Sequence, residues 1–135
     1  IIDMNTRRMV RNPELASSPE TCVFEHAIEE PADKIVFPTE VEPELAGSHK
    51  VVWSDIDTMA HVNNVRYVCW ALDAVSQETL QKYPLKEIIV NYDAEVLLDE
   101  EVQLYRVIQN MDEGITVYIQ GRVEDKPKFC VKLVF

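Results

Sequence analysis

The chain has 135 residues, which is enough for one modest domain and some extra segment but not for two full hydrophobic cores. Its 24 aspartates and glutamates outnumber its 13 lysines and arginines, and the resulting net charge of −11 argues against nucleic acid as a partner, because phosphate binding needs a basic surface. No apolar run approaches the ~20 residues that cross a bilayer, so no membrane span is predicted.

Three cysteines are scattered without a disulfide or metal-binding spacing: Cys22, Cys69 and Cys130. Cys69 and Cys130 have apolar neighbours and are predicted core residues. This use of cysteine is typical of a reducing compartment, and the cytoplasm is the predicted location.

The first third of the chain is poor in regular structure. Residues 1–8 are predicted to be the end of a β-strand, and the start without an initiator methionine suggests a piece of a longer protein. Five of the seven prolines fall within 9–46, together with many glutamates, and that density excludes long helices and central strands. We therefore predict a Pro/Glu-rich linker over 9–46 and a folded domain over 47–135.

The densest polar cluster of the chain directly precedes its most regular apolar segment. The cluster holds five residues within ten positions: Asp55, Asp57, His61, Asn63 and Asn64. Apolar residues then recur at three- and four-residue spacing: Val62, Val65, Val68, Cys69, Leu72 and Val75. This periodicity predicts a buried helix from about 62 to 83, ended by Pro84, with Asn63 or Asn64 as its N-cap. Such a helix start places backbone N–H groups beside titratable side chains, an arrangement suited to chemistry on a carbonyl group.

Five segments have the period-2 alternation or the composition of β-strands. The first lies ahead of the helix and four follow it, over 49–54, 88–98, 102–108, 115–123 and 129–135. Turns are predicted at 111–114, where Gly114 can take positive φ, and at 124–127. Sequential hairpins predict an antiparallel sheet of about five strands wrapped around one long helix, an α+β fold. Unpaired sheet edges predict pairing with a second copy or a second domain.

Three segments resemble parts of the acyl-acyl carrier protein thioesterases, a family with two hot-dog domains. The pattern Asp-x-Asp-x-x-x-His-Val-Asn-Asn at 55–64 resembles the segment that opens the central helix of the second hot-dog domain. Residues 91–95 resemble the strand that carries the family's catalytic glutamate, and residues 3–8 are similar to the last strand of the first domain. The resemblance implies a C-terminal hot-dog half, in which 1–8 end the preceding hot-dog domain and 47–135 form the thioesterase domain.

This family hydrolyses the thioester between a fatty acyl chain and the phosphopantetheine arm of acyl carrier protein. The resemblance implies a site of Asp57, His61 and Glu95, in which Glu95 is the general base on water and the other two orient groups and stabilise charge. The candidate oxyanion donors are the first amides of the helix: Val62, Asn63 and Asn64. The resemblance implies no metal and no organic cofactor. Its implied partners are acyl carrier protein and a second hot-dog domain.

The chain departs from the family pattern at two positions. Met59 stands where the family usually has asparagine, and Val96 stands where it often has cysteine. Methionine cannot donate a useful hydrogen bond, and loss of one positioned donor raises a catalytic barrier by ~2.7–4 kcal/mol. Two alternatives therefore stay open: hydrolysis of acyl-coenzyme A, and a catalytically degenerate hot-dog half that binds acyl chains or serves as a structural partner.

Each candidate also has an ordinary structural interpretation. Asp57 fits a turn or capping residue, and His61 fits a histidine hydrogen-bonded at a helix start. Strand alternation would place Glu95 on a solvated polar face with Glu87, Asn91 and Asp93. Asp55 is interpreted as a loop acid, and His49 is given no role.

Overall fold

The computed structural model describes residues 34–112 and 114–135. The predicted strand end at the N-terminus and most of the predicted linker lie outside the described residues. From 34 to 43 the chain forms no helix or strand. Ile35 is buried in this segment and its N–H donates to Asn91 Oδ1 at 2.6 Å, so the end of the linker lies against the domain.

Five antiparallel strands form one sheet. In chain order they are β1 (Glu44–Lys50), β2 (Glu87–Tyr92), β3 (Glu101–Met111), β4 (Gly114–Val123) and β5 (Lys126–Val134). Their order across the sheet is β1-β3-β4-β5-β2, so β1 and β2 are its edges within 34–112 and 114–135. Gly114 takes the predicted positive φ, 137°, at the turn into β4. The predicted α+β class with about five antiparallel strands is confirmed.

The first strand lies earlier than predicted. β1 begins at Glu44, inside the segment assigned to the linker, and ends at Lys50. The predicted strand over 49–54 is therefore wrong, and Trp53–Asp55 is one turn of 3-10 helix. Asp55 Oδ2 accepts the N–H of Val52 at 3.0 Å, a local bond that folds the chain back where a strand would have continued.

The predicted single helix over 62–83 is wrong, because two shorter helices replace it. Helix α1 spans Asn64–Asp73, and Asn63 is its N-cap as predicted, with Oδ1 accepting the Val65 N–H at 3.0 Å. Ser76 begins helix α2 (Gln77–Lys82) by accepting the Thr79 N–H at 3.2 Å. The described part of the chain contains no helix with the length and apolar character needed to cross a membrane.

Helix α1 packs its aromatic face onto the sheet. Tyr67 and Trp70 are each 4% exposed, and their rings lie 4.8 and 6.3 Å from the ring of Phe129 on β5. Ala71 and Ala74 complete this buried face. The buried face is therefore not the one that the three- and four-residue spacing predicted, because Val65 is 64% exposed and Val68, Cys69 and Leu72 are only partly buried.

Gly121 is required where the Phe129 ring crosses β4. The two residues are cross-strand partners, and a Cβ at position 121 would overlap the ring of Phe129, which is fully buried. We expect Gly121→Ala to lower the free energy of unfolding by about 1–3 kcal/mol, the range for overpacking a core, as measured by urea denaturation. Gly47→Ala is the matched control, because a Cβ there meets no atom within 4 Å. Equal losses in the two variants would contradict this prediction.

Candidate active site

A tight loop between the 3-10 turn and α1 carries Asp57 and His61. Two backbone hydrogen bonds close it, from Asp57 N to His61 O at 2.8 Å and from Asn63 N to Asp55 O at 2.8 Å. Within the loop, Asp57 Oδ1 accepts the N–H groups of Met59 at 2.8 Å and His61 at 3.2 Å. These are the contacts of a turn residue, and through them Asp57 fixes the backbone of His61.

Glu95 lies in an irregular segment, so the predicted strand over 88–98 is wrong in its second half. The ladder between β2 and β5 ends because the N–H groups of Asp93 and Ala94 both donate to Lys128 O, each at 2.9 Å. Two residues of one chain segment opposite a single residue of its partner strand form a β-bulge, which redirects the chain. Val96, next in sequence to Glu95, is fully buried and anchors the segment in the core.

The structure brings His61 and Glu95 together. His61 Nε2 lies 3.9 Å from Glu95 Oε1, and the two side chains are 33% and 48% exposed. Both line a cavity of about 240 Å³ at the N-terminus of α1. The other lining residues are Val62, Asn64, Tyr67, Tyr92, Asp93 and Ala94. Asp57 does not line this cavity, and its carboxylate contacts the backbone of the loop instead.

Only part of the predicted oxyanion set is placed to act there. The Asn63 N–H donates to Asp55 O, so it is engaged in closing the loop, and its side chain caps the helix. Val62 and Asn64 line the cavity, which leaves their N–H groups as the candidate donors. The Tyr92 hydroxyl donates to Asn64 O at 3.2 Å and so ties the first turn of α1 to the end of β2.

Neither the tyrosines of the cavity nor the buried cysteine of β5 is an activated nucleophile. Burial raises the pKa of both Tyr67 and Tyr92, so their hydroxyls stay protonated near neutral pH. Cys130 is buried, as predicted for a core residue, and burial raises the pKa of its thiol to about 12. The position beside Glu95 is Val96, which has no nucleophile to offer. Over 34–112 and 114–135, no group of three or more His, Cys, Asp and Glu side chains is placed to hold a metal ion.

Asp55 and His49 were interpreted wrongly from the sequence. Asp55 is 3% exposed, and its carboxylate contacts His49 Nε2 at 2.8 Å and Arg66 Nε at 3.2 Å. Arg66 also donates to Ser54 O at 2.9 Å, and the His49 ring stacks on Trp70 with centroids 4.6 Å apart. The cluster joins β1, the 3-10 turn and α1 next to the loop that carries His61.

The protonation of Asp55 reflects opposing influences. Burial by itself would raise the pKa of this carboxyl group. The hydrogen bonds from His49 and the Val52 N–H, together with the charges of His49 and Arg66, outweigh burial and lower the pKa below its ordinary value of 3.8. Asp55 is therefore a carboxylate across the neutral range, which its buried position tolerates because its oxygens are paired.

Comparisons with known proteins point to one family. Residues 39–129 match the family described as "Acyl-ACP thioesterase C-terminal domain". A palmitoyl-acyl carrier protein thioesterase of Arabidopsis thaliana is 32% identical over 62 residues, which are 46% of this chain and 15% of that protein. One from Gossypium hirsutum is 35% identical over 95 residues, covering 56% of this chain and 23% of that protein.

Solved structures of thioesterases share the fold. The 12:0-ACP thioesterase of Umbellularia californica matches with a TM-score of 0.80 and 15% identity, over 98% of this chain and 51% of that chain. An acyl-ACP thioesterase from Bacteroides thetaiotaomicron matches with a TM-score of 0.70 and 23% identity, over 99% and 52% of the two chains. The predicted hot-dog fold is confirmed, and the chain spans about half the length of these two solved chains.

Proposed function

Since the chain belongs to the family of acyl-ACP thioesterase C-terminal domains, we propose that it carries the hydrolytic site of an enzyme that releases fatty acids from acyl carrier protein. The observation that carries the proposal is the approach of His61 and Glu95 to 3.9 Å beside a shared cavity at a helix N-terminus. A general base, a partner that stabilises charge, and amide donors are the groups that thioester hydrolysis needs.

In the proposed reaction, a water molecule attacks the carbonyl carbon of the thioester. The Glu95 carboxylate accepts one proton of that water as the new C–O bond forms. The carbonyl oxygen becomes an oxyanion, which the N–H groups of Val62 and Asn64 stabilise. The C–S bond then breaks, and the proton returns from Glu95 to the departing sulfur, so the products are a free fatty acid and the carrier thiol.

His61 and Asp57 have different parts in the proposal. The His61 ring is close enough to Glu95 to orient its carboxylate and to stabilise charge at the cavity mouth. Asp57 acts through the backbone, because its carboxylate binds the N–H of His61 and of Met59 and so sets where the histidine stands. Asp57 is thus proposed as a positioning residue.

A second hot-dog domain is the proposed structural partner. The side chains of Glu95 and His61 are 48% and 33% exposed to solvent, so the cavity is open on one side. β2 is an edge strand with exposed apolar side chains at Ile88 and Tyr92, and Leu97 beyond it is exposed as well. A domain packed there would exclude water from the cavity, and water exclusion strengthens every electrostatic interaction in it. Analytical ultracentrifugation of the 135-residue chain checks whether a second copy can take this place.

The cellular setting is proposed from the free thiols. Cys69 and Cys130 are unpaired, in keeping with a reducing compartment, and the cytoplasm remains the proposed location. The two plant relatives are named chloroplastic, which describes those proteins. Imaging of a fluorescent fusion of the natural polypeptide tests the proposal, and exclusion of the fusion from the cytoplasm would contradict it.

Release of free thiol tests the proposed activity directly. The natural polypeptide that contains this chain should liberate thiol from fatty acyl-acyl carrier protein, with fatty acid formed in equal amount. Acyl-coenzyme A serves as the comparison, and a higher kcat/KM on the coenzyme A ester would favour the alternative carrier. Absence of thiol release from both substrates by folded protein would refute the hydrolase and leave the acyl-binding or structural alternative.

Met59→Asn separates an active enzyme from a degenerate half. Met59 is 52% exposed, so a donor added there is partly hydrated and we expect kcat to rise by about tenfold or less from a measurable baseline. Met59→Leu, which changes shape without adding a donor, should leave kcat unchanged in the same thiol-release assay. A rise of about 10²–10³ from a negligible baseline would instead favour the degenerate alternative, because that is the effect of one well-placed oxyanion donor.

A further inference from the structure

Lys128 of β5 contacts the segment that carries Glu95 at three consecutive residues. Its carbonyl oxygen accepts the N–H groups of Asp93 and Ala94, and its Nζ donates to Glu95 O at 2.9 Å. The Lys128 side chain is only 18% exposed, so most of it is covered by neighbouring residues. Lys128 therefore holds the backbone of Asp93 and Ala94, just before Glu95, and the backbone of Glu95 itself.

Glu100 holds the same segment from its other end. Its Oε2 accepts the Leu97 N–H at 2.8 Å, and its Oε1 lies 3.8 Å from Lys128 Nζ, with 27% of the side chain exposed. Lys128 and Glu100 thus form a brace between β5 and the start of β3. The braced segment lies outside any strand, and its described anchors besides the brace include the buried Val96, whose backbone is hydrogen-bonded to Tyr67, and the Asp99 N–H, which donates to Val51 O at 3.1 Å.

We propose that Lys128 and Glu100 are positioning residues that set the distance between Glu95 and His61. The inference rests on the proposed hydrolytic function and extends it to two residues outside the cavity. A misplacement of the reacting groups by about 1 Å can lower the rate about 100-fold, and the Glu95 side chain leaves a backbone that has no sheet to hold it. The ammonium group on Glu95 O fixes that backbone directly.

Lys128→Met tests the brace in the natural polypeptide, because it keeps the apolar stem and removes the ammonium group. We expect kcat to fall by about 10- to 100-fold with KM changed less than about twofold. Lys128→Arg, which restores a positive donor, should recover most of the lost kcat. Lys126→Met is the matched control, since Lys126 is exposed at the start of the same strand, and its kcat should equal that of the wild type.

A second measurement does not need turnover. Amide hydrogen exchange at Val96 and Leu97 should be about tenfold faster in Lys128→Met than in the wild type or in Lys126→Met. Glu100→Gln should speed the same two amides, and it replaces Lys128→Met if that variant does not fold. Equal exchange in the brace variants and the wild type overturns the inference, whatever the activities are.

Combination with Glu95→Gln separates the inference from the function on which it rests. In the Glu95→Gln background, Lys128→Met should lower kcat no further, because a base that is absent cannot be misplaced. If Glu95→Gln is inactive while Lys128→Met alone keeps full kcat, the brace is refuted and the hydrolytic site stands. If Glu95→Gln keeps full activity, the proposed site falls and the positioning role falls with it.

Discussion

Glu95→Gln is expected to lower kcat for hydrolysis of fatty acyl-acyl carrier protein by about 10²–10⁴, the contribution of a positioned general base. The amide keeps the size of the side chain but cannot accept the proton of the attacking water. KM should change little, because the glutamate lies beside the reacting carbonyl and contributes nothing proposed to carrier binding. Thiol release under saturating substrate measures the loss.

Two further variants make this result specific. Glu87→Gln is the matched control, because Glu87 is an exposed glutamate at the opposite end of β2, and its kcat should stay within experimental error of the wild type. His61→Ala should also lower kcat strongly, and the double variant with Glu95→Gln should lose little more, since the two side chains act together at 3.9 Å. Activity of Glu95→Gln within threefold of the wild type would remove the base assignment.

The pairing of His61 with Glu95 could be anticipated only through the family resemblance. The two residues are separated by helix α1, helix α2 and strand β2, and periodicity alone placed Glu95 on a solvated strand face. Alternation predicted the strand to continue past Tyr92 because Ala94, Val96 and Leu98 keep the period-2 pattern. The bulge opposite Lys128 ended it, and a bulge depends on a partner strand that a local pattern does not contain.

Helix length shows a related limit, although here a local signal was present. Val75 extends the apolar spacing past Asp73, and the next proline is Pro84, so one continuous helix was predicted. Ser76 is a strong N-cap residue, and its Oγ bonds the Thr79 N–H to begin α2 instead. A capping residue inside a periodic segment predicts a break as readily as Pro84 predicts an end. Asn63 was recognised as a cap for this same reason.

The Asp55 cluster had no sequence signal of its own. His49, Asp55 and Arg66 belong to a strand, a 3-10 turn and a helix, and their spacing follows no motif. An aspartate after serine in a polar stretch is most often a loop residue, and only the folding of β1 against α1 buries this one. Asp55, which was interpreted from the sequence as a loop acid, thus has the most buried carboxylate among the described acids, at 3% exposure.

Asp55→Ala is expected to lower the free energy of unfolding by about 3 kcal/mol, the low end of the range for removing one partner of a buried ion pair. The low end applies because His49 and Arg66 keep 33% and 39% of their side-chain exposure and can turn to water. Urea denaturation at pH 7 measures the loss. Asp99→Asn is the matched control, since Asp99 pairs with Lys50 at 3.1 Å while 75% exposed, and surface pairs contribute about 0–1 kcal/mol.

The pH dependence of the free energy of unfolding, compared between the wild type and Asp55→Asn, tests whether the paired charge stabilises the fold. The pKa of folded Asp55 lies below its ordinary value of 3.8, so the carboxylate stabilises the fold above that pH and loses its contribution as the pH falls through the folded pKa. The stability gap between wild type and Asp55→Asn should therefore be constant near neutrality and shrink below about pH 4. A gap that is the same at pH 3 and pH 7 would show that packing, and not the paired charge, explains the burial of Asp55. Because Asp55 O also closes the loop that holds His61, loss of this cluster should weaken the site together with the fold.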